Sequence, residues 1–163
     1  MMRSIIGPWI VGASLMACTK RDDDRTQVQK IDSSANQKMA DMKNLVSIVE
    51  IPTDDFSRAM NFYGKILGID IEVVEMEGIK MGLFPGSEDS PAVQIIHGDG
   101  YKTSLDGTIV YLNGGDDLQK VADKIEANGG KIVIPKTEIG PDMGFYAVFT
   151  DTEGNKLGLH SLH

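Results

Sequence analysis

After residue 44, the spacing of hydrophobic positions changes in a regular order along the chain. Residues 45–52, "LVSIVEIP", are rich in β-branched residues and end at a proline, which predicts a strand. In residues 53–68, apolar side chains recur three or four positions apart before a glycine, which predicts a helix capped by Thr53 or Asp54. Three more strands are predicted at 69–74, 80–84 and 92–97.

The same order of patterns begins again at residue 107. It predicts a strand at 107–115, a helix at 116–130, and strands at 131–137, 144–150 and 155–161. A shift of 62 positions aligns Asp54-Asp55-Phe56 with Asp116-Asp117-Leu118, and Gly68 with Gly130. We therefore predict one α+β domain at 44–163, built from two βαβββ half-repeats at 44–98 and 106–162 that enclose a cleft.

The first 43 residues have a different composition. Arg3 precedes an apolar run from Ile5 to Ala17, which is shorter than the roughly 20 residues of a membrane span and is typical of a secretory signal peptide. Cys18 is the single cysteine, so no intramolecular disulfide can form. Residues 18–43 are polar and charged, and we interpret them as a flexible tether. The net charge of −8, without clustered Lys or Arg, argues against nucleic acid as a partner.

The sequence Leu15-Met16-Ala17-Cys18 resembles the lipobox of bacterial lipoproteins. The resemblance implies a signal peptide at 1–17 and a lipidated Cys18. It would hold the protein on a membrane of the bacterial cell envelope, at the periplasmic face or the cell surface. The alternative is an ordinary signal peptide, or a translated upstream stretch, with a chance cysteine.

The strings "VEIPTDDFSRAMNFYGKILGI" and "DTEGNKLGLHS" resemble the glyoxalase, bleomycin-resistance and extradiol dioxygenase group, the vicinal oxygen chelate superfamily. The resemblance covers about residues 44–162 and implies a glyoxalase-like fold, often dimeric, with metal ligands on the first and last strand of each half. These ligand positions fall at Ile48, at Gln94 with His97 at the strand end, at one of Thr108, Ile109 and Val110, and at Gly158. At least three of the four lack a ligand, so we expect no metal and no other cofactor.

Strand parity directs two titratable groups toward the predicted cleft. Glu50 lies two residues from Ile48, and His160 lies two residues from Gly158. One interpretation is that Glu50 and His160 converge as an acid–base couple for enolising a carbonyl substrate. The other is that Glu50 lies at a wet rim and His160 is a polar strand end.

Gln94, His97 and Tyr111 are the candidate contacts to a small-molecule ligand. Tyr111 either stacks on that ligand or packs in the core. Phe145 and Tyr146 are adjacent on one strand, so only one of them can face the cleft. Residues 139–144, "IGPDMG", are either a mobile lid or a simple connection.

Three functions are compatible with these features. The first is a membrane-tethered domain that binds a small molecule without the family's metal, as the resemblance to bleomycin-resistance proteins implies. The second is a metal-dependent lactoylglutathione lyase-like enzyme, or a related lyase or isomerase, with a shifted ligand set of Glu50, Gln94 and His160. The third is a protein-interaction module of the envelope. The resemblance also makes a homodimer a reasonable expectation.

Overall fold

Strands and helices follow one another in the predicted order. The computed structural model describes residues 44–163. The first half contains β1 (Ile48–Pro52), α1 (Phe56–Leu67), β2 (Glu72–Met76), β3 (Ile79–Leu83) and β4 (Ala92–His97). The second half contains β5 (Tyr111–Asn113), α2 (Gln119–Ile125), a 3₁₀ turn (Glu126–Asn128), β6 (Lys131–Gly140), β7 (Gly144–Thr150) and β8 (Lys156–Ser161). The predicted signal peptide at 1–17, Cys18 and the tether at 18–43 lie outside the described residues.

Each half forms a four-stranded mixed sheet of its own. The strand orders are β1-β4-β3-β2 and β5-β8-β7-β6. In both sheets the first strand of the half runs parallel to the last, and the remaining pairs are antiparallel. The predicted α+β class with two βαβββ repeats is therefore confirmed. Within 44–163, neither helix is long and apolar enough to cross a membrane.

Side-chain alternation gives each sheet a face covered by helices and an open face. Ile51, Ile95, Leu112 and Leu159 point toward the helices and are buried in one core. This core also contains the apolar side of α1, namely Ala59, Phe62, Tyr63 and Ile66. Strand neighbours of the buried residues point to the open face, which is where the predicted site residues of β1, β5 and β8 lie.

The turn between β7 and β8, residues 151–155, connects the second half to the first. The Tyr63 hydroxyl in α1 donates a 2.7 Å hydrogen bond to the Asp151 carboxylate, and both residues are buried. The Asn155 side-chain amide donates to the backbone carbonyl of Pro52 at 2.8 Å. These bonds join residues about a hundred positions apart in the chain, so the turn holds α1 and β1 against the second half.

We expect Tyr63→Phe to lower the free energy of unfolding by about 1–2 kcal/mol. The substitution keeps the ring and its edge-on contact with Phe62, 5.1 Å between centroids, but removes one donor to a buried carboxylate. Burial, followed by the charge of Asp151, raises the pKa of Tyr63 well above its usual value, so the hydroxyl remains a donor at neutral pH. Urea unfolding measures the change. Tyr101→Phe is the control, because the Tyr101 hydroxyl has no hydrogen bond to any other residue of 44–163; equal losses in both variants would contradict the prediction.

The start of α1 differs from the prediction. Asp55, rather than Thr53 or Asp54, caps the helix, and its carboxylate accepts a hydrogen bond from the N–H of Arg58 at 3.0 Å. Thr53 directly follows β1 and is held to the sheet, because its N–H donates to the carbonyl of Ile96 at 2.8 Å. The predicted start was thus wrong by one or two residues.

The structure decides between the two interpretations of residues 139–144 and moves the glycine that ends the second helix by one position. Residues 139–144 belong to the β6–β7 hairpin, not to a lid: β6 continues to Gly140, β7 begins at Gly144, and the N–H of Met143 donates to the Gly140 carbonyl at 3.1 Å. The left-handed glycine after α2 is Gly129, with φ +94°, rather than Gly130. The repeat therefore shifts by one residue at this point.

Candidate functional site

The glycine at the last predicted ligand position lies under an aromatic ring. β5 pairs with β8 so that Tyr111, and not Thr108, Ile109 or Val110, is opposite Gly158. A Cβ atom at Gly158 would overlap the Tyr111 ring and come 2.8 Å from its Cγ atom. The space beside Gly158 is therefore not empty, because the Tyr111 ring occupies the volume that a larger side chain at position 158 would take.

The fifth strand was predicted in the wrong register because the chain pairs earlier than expected. Ser104 already contacts the start of β8: its carbonyl accepts from the N–H of Lys156, and its N–H donates to the side chain of Asn155. A turn at Gly107, with φ +127°, then delays the strand to Tyr111–Asn113. Of the residues between this turn and Tyr111, Val110 is bonded to the last strand, because its carbonyl accepts from the N–H of Gly158 at 2.8 Å.

Tyr111, Tyr146, His160 and Ile139 form a hollow on the open face of the second sheet, which we call the aromatic cradle. They line a cavity of about 380 Å³. Tyr146 is opposite His160 in the β7–β8 pair, and the rings of Tyr111 and Tyr146 meet edge to face with centroids 6.4 Å apart. Tyr111 remains 48% exposed. A half-exposed ring in a concave, mostly apolar site is available for stacking on a ligand.

His160 has a defined hydrogen-bonding state in this cradle. Its Nε2 atom lies 3.0 Å from the backbone carbonyl oxygen of Met143 in the β6–β7 turn. A carbonyl can only accept, so Nε2 carries the proton, and the Nδ1 atom of the neutral ring is an acceptor. His160 therefore offers the cradle a polar edge as well as an aromatic surface.

A second cavity of about 600 Å³ adjoins the cradle and shares Tyr111 and His160 with it. Its polar lining includes Asn113 and Asp116, and we call it the polar annex. The full lining is Tyr111, Leu112, Asn113, Gly115, Asp116, His160, Ser161, Leu162 and His163. Apolar and polar subsites thus lie side by side at the end of β5 and β8.

Glu50 lies in a different environment from His160. Its carboxylate accepts a 3.0 Å hydrogen bond from the side-chain amide of Gln94, which is 8% exposed. Glu50 lines a smaller cavity of about 170 Å³, together with Lys102 and Lys156. No hydrogen bond joins Glu50 to His160 among residues 44–163. The structure therefore brings Glu50 to Gln94, and His160 to the two tyrosines.

The remaining predicted site residues have separate positions. His97 Nδ1 lies 2.9 Å from the backbone carbonyl of Thr53, so this ring supports the start of α1.

Phe145 points away from the open face and packs beneath the Lys136 ammonium group, 4.5 Å from the ring centroid. Tyr146 is then the aromatic residue of this pair in the cradle. Alternation along β7 predicted only that the two could not both face the cleft. Ile139 and Asp116 were missed because their positions depend on a hairpin and a loop.

The residues at the family's metal-ligand positions do not fit a divalent cation. Ile48 has no donor atom, the amide nitrogen of Gln94 is bound to Glu50, and Tyr111 lies over Gly158. Within the described part of the chain, no group of three or more His, Cys, Asp and Glu side chains is close enough to hold an ion. A single amide oxygen and a phenol are weak ligands for such an ion.

Solved structures share this fold at low sequence identity. A glyoxalase I variant from Zea mays is 19% identical with a TM-score of 0.58, over 71% of this chain and 45% of that chain. A glyoxalase/bleomycin resistance protein/dioxygenase family enzyme from Burkholderia phytofirmans is 15% identical with a TM-score of 0.54, over 72% and 98%. An antibiotic binding protein from Streptomyces is 19% identical with a TM-score of 0.52, over 72% and 95%. The chain spans less than half of the maize enzyme, so these likenesses concern the fold.

Sequence comparison identifies the family. A glyoxylase-like domain-containing protein from the fungus Didymella fabae is 29% identical over 113 residues, which are 68% of this chain and 88% of that protein. The family model for the Glyoxalase/Bleomycin resistance protein/Dioxygenase superfamily matches residues 45–159, nearly all of the two βαβββ halves. The chain therefore belongs to the glyoxalase/bleomycin resistance protein/dioxygenase superfamily.

Proposed function

We propose that this protein is a membrane-tethered binding domain that holds a small aromatic molecule in the aromatic cradle without the family's catalytic metal. The observation that carries the proposal is the Tyr111 ring over Gly158. At that point a metal-dependent relative would need a ligating side chain, whereas this chain has an aromatic surface. Binding requires no ion and no reacting group.

The dimensions of the cradle support a small ligand. A cavity of about 380 Å³ falls within the range of ligand pockets. A ring stacked on Tyr111 and Tyr146 loses its contact with water, and each aromatic pair adds about 0.5–1.5 kcal/mol beyond area burial. The Streptomyces protein of the same fold is an antibiotic binding protein, so this fold is compatible with binding alone.

The tether and the location are proposed from the sequence. A signal peptide at 1–17, a lipid on Cys18 and a polar segment at 18–43 would hold the domain above a membrane of the bacterial cell envelope. The family matches concern residues 45–159 only. Mass spectrometry of the N-terminal peptide tests the lipid, and an unmodified Cys18 in protein isolated from a bacterial host membrane would contradict it. We also propose a homodimer, which sedimentation measures.

A metal-dependent lyase or isomerase is the second candidate. The hydrogen bond between Glu50 and Gln94 favours it, because two of its three proposed ligands lie together. His160, the third, is engaged with the Met143 carbonyl through Nε2. An ion would therefore require His160 to use Nδ1 or to leave this contact.

One experiment separates these functions. The protein is dialysed against Ni²⁺, Zn²⁺, Mn²⁺ and Fe²⁺, bound metal is measured, and thermal shifts are recorded with a set of small aromatic compounds. We expect far less than one ion per chain, and a ligand whose affinity falls about tenfold or more in Tyr111→Ala. Tyr101→Ala is the control. Near-stoichiometric metal that is lost in His160→Ala would instead favour the enzyme. Co-purification of an envelope protein, without metal or ligand, would favour an interaction module.

A further inference from the structure

The lining of the binding site contains an acidic side chain but no Lys or Arg. The cradle and the polar annex together are lined by two tyrosines, two histidines and one carboxylate, that of Asp116. Neither cavity has a Lys or Arg in its lining. Asp116 is exposed, and its carboxylate has no hydrogen-bond partner within the described part of the chain. Among the Asp, Glu, Lys and Arg side chains of the described residues, that of Asp116 alone lines this site, and it brings a negative charge without an ion-pair partner.

The rings that line the site favour the same kind of ligand. His160 donates through Nε2 to the Met143 carbonyl, and in the neutral tautomer Nδ1 is left as an acceptor. The faces of Tyr111 and Tyr146 carry the negative side of the ring quadrupole, which attracts cations. The net charge of −8 adds a long-range attraction for cations and a repulsion of anions.

We propose that the ligand is an aromatic compound that carries a protonated amine, with its ring in the aromatic cradle and its ammonium group facing Asp116. This inference rests on the proposed function and names the ligand class of the same site. An aromatic carboxylate or phosphate would find no Lys or Arg side chain in either lining. Lys102 and Lys156 line a separate cavity beside Glu50.

The test compares three probes that share one ring system: naphthylmethylammonium, naphthylmethanol and naphthoate. Each is titrated calorimetrically into the full chain in a mild non-ionic detergent, and the titration into detergent alone is subtracted. We expect the ammonium compound to bind roughly five- to tenfold more tightly than the alcohol, and the carboxylate to bind most weakly. In Asp116→Asn the preference for the ammonium compound falls to about twofold, the part that the ring faces and the net charge supply, while the affinity for the alcohol stays unchanged.

Asp99→Asn is the matched control, because it removes the same charge from an exposed turn that lines neither cavity. This variant is expected to keep the preference. Equal affinities for all three probes, or a preference unchanged in Asp116→Asn, would overturn the ligand class and leave the binding function intact. If no probe binds, or if Tyr111→Ala leaves all affinities unchanged, the proposed function fails as well.

Discussion

Glu153→Ala is expected to lower the free energy of unfolding by about 3 kcal/mol, and the melting temperature by roughly 10 °C. The Glu153 side chain has no exposed area. It accepts hydrogen bonds from the backbone N–H groups of Asp54 and Asp55, at 3.1 and 2.8 Å. It also accepts two bonds from the Arg58 guanidinium, at 2.7 and 3.0 Å. Alanine leaves the N–H groups at the start of α1 without their acceptor, so the helix loses its attachment to the second half.

The loss of stability in Glu153→Ala is limited because one partner of the carboxylate, Arg58, is exposed to solvent. Arg58 is half exposed, so its guanidinium can turn to water when the carboxylate is removed. Unfolding in urea measures the change, with Glu88→Ala in the exposed β3–β4 loop as the control. A Glu153→Ala protein as stable as the Glu88→Ala protein would show that this contact does not hold the halves together.

The contribution of Glu153 to the free energy of unfolding decreases as the pH falls. Burial alone raises the pKa of Glu153, but hydrogen bonds from Arg58, from the N–H of Asp55 and from Thr152 outweigh it, and the pKa lies below its ordinary value of 4.5. The unfolded state therefore binds the proton first as the pH falls. The stabilisation is complete above pH 4.5 and is lost as the pH falls through the lower pKa of the folded state. The stability difference between wild type and Glu153→Ala should narrow in acid.

Gly158→Ala is expected to lower the affinity of the aromatic cradle at least tenfold and the stability by about 2 kcal/mol. The new methyl group would overlap the Tyr111 ring, which must leave its place over β8. The ring then no longer forms the stacking surface with Tyr146. Calorimetric titration with an aromatic ligand and urea unfolding measure the two effects.

A double variant tests whether steric overlap with the Tyr111 ring causes the loss of stability in Gly158→Ala. Tyr111→Ala/Gly158→Ala removes both the methyl group's neighbour and the stacking ring, so stability should recover relative to Gly158→Ala while affinity stays low. Gly64→Ala in α1 is the matched control, because a Cβ atom there meets its nearest neighbour at 3.4 Å. Full ligand affinity in a folded Gly158→Ala protein would mean that Tyr111 is not part of the binding surface.

The order of the elements was predictable because it depends on neighbours in the chain. The apolar spacing of 53–68 contains the observed α1, Phe56–Leu67, and the predicted strand 92–97 coincides with β4. Gly68 ends α1 in the left-handed conformation, φ +68°, as its position after the apolar run predicted. Periodicity and capping are local properties, so one sequence is enough to read them.

The candidate site was predicted only in part, because it depends on pairing between distant strands. Parity correctly excluded that Phe145 and Tyr146 both face the cleft, yet it could not decide which residue of β5 is opposite Gly158. That choice follows from the contacts of Ser104 with Asn155 and Lys156. The acid–base couple of Glu50 and His160 stays a prediction, although the hydrogen-bond partners of the two residues are different.

Local spacing thus predicted the two βαβββ halves and their turns, and the family resemblance pointed to Ile48 and Gly158 as ligand positions without a ligating side chain. The folded chain added what those positions contain instead: Tyr111 over Gly158, and Gln94 bound to Glu50. The physical reason is that alternation assigns a residue to a face of its own strand, whereas strand register and side-chain contacts arise between residues far apart in the chain. The glycine at position 158 is therefore covered in the folded protein by the aromatic ring of Tyr111.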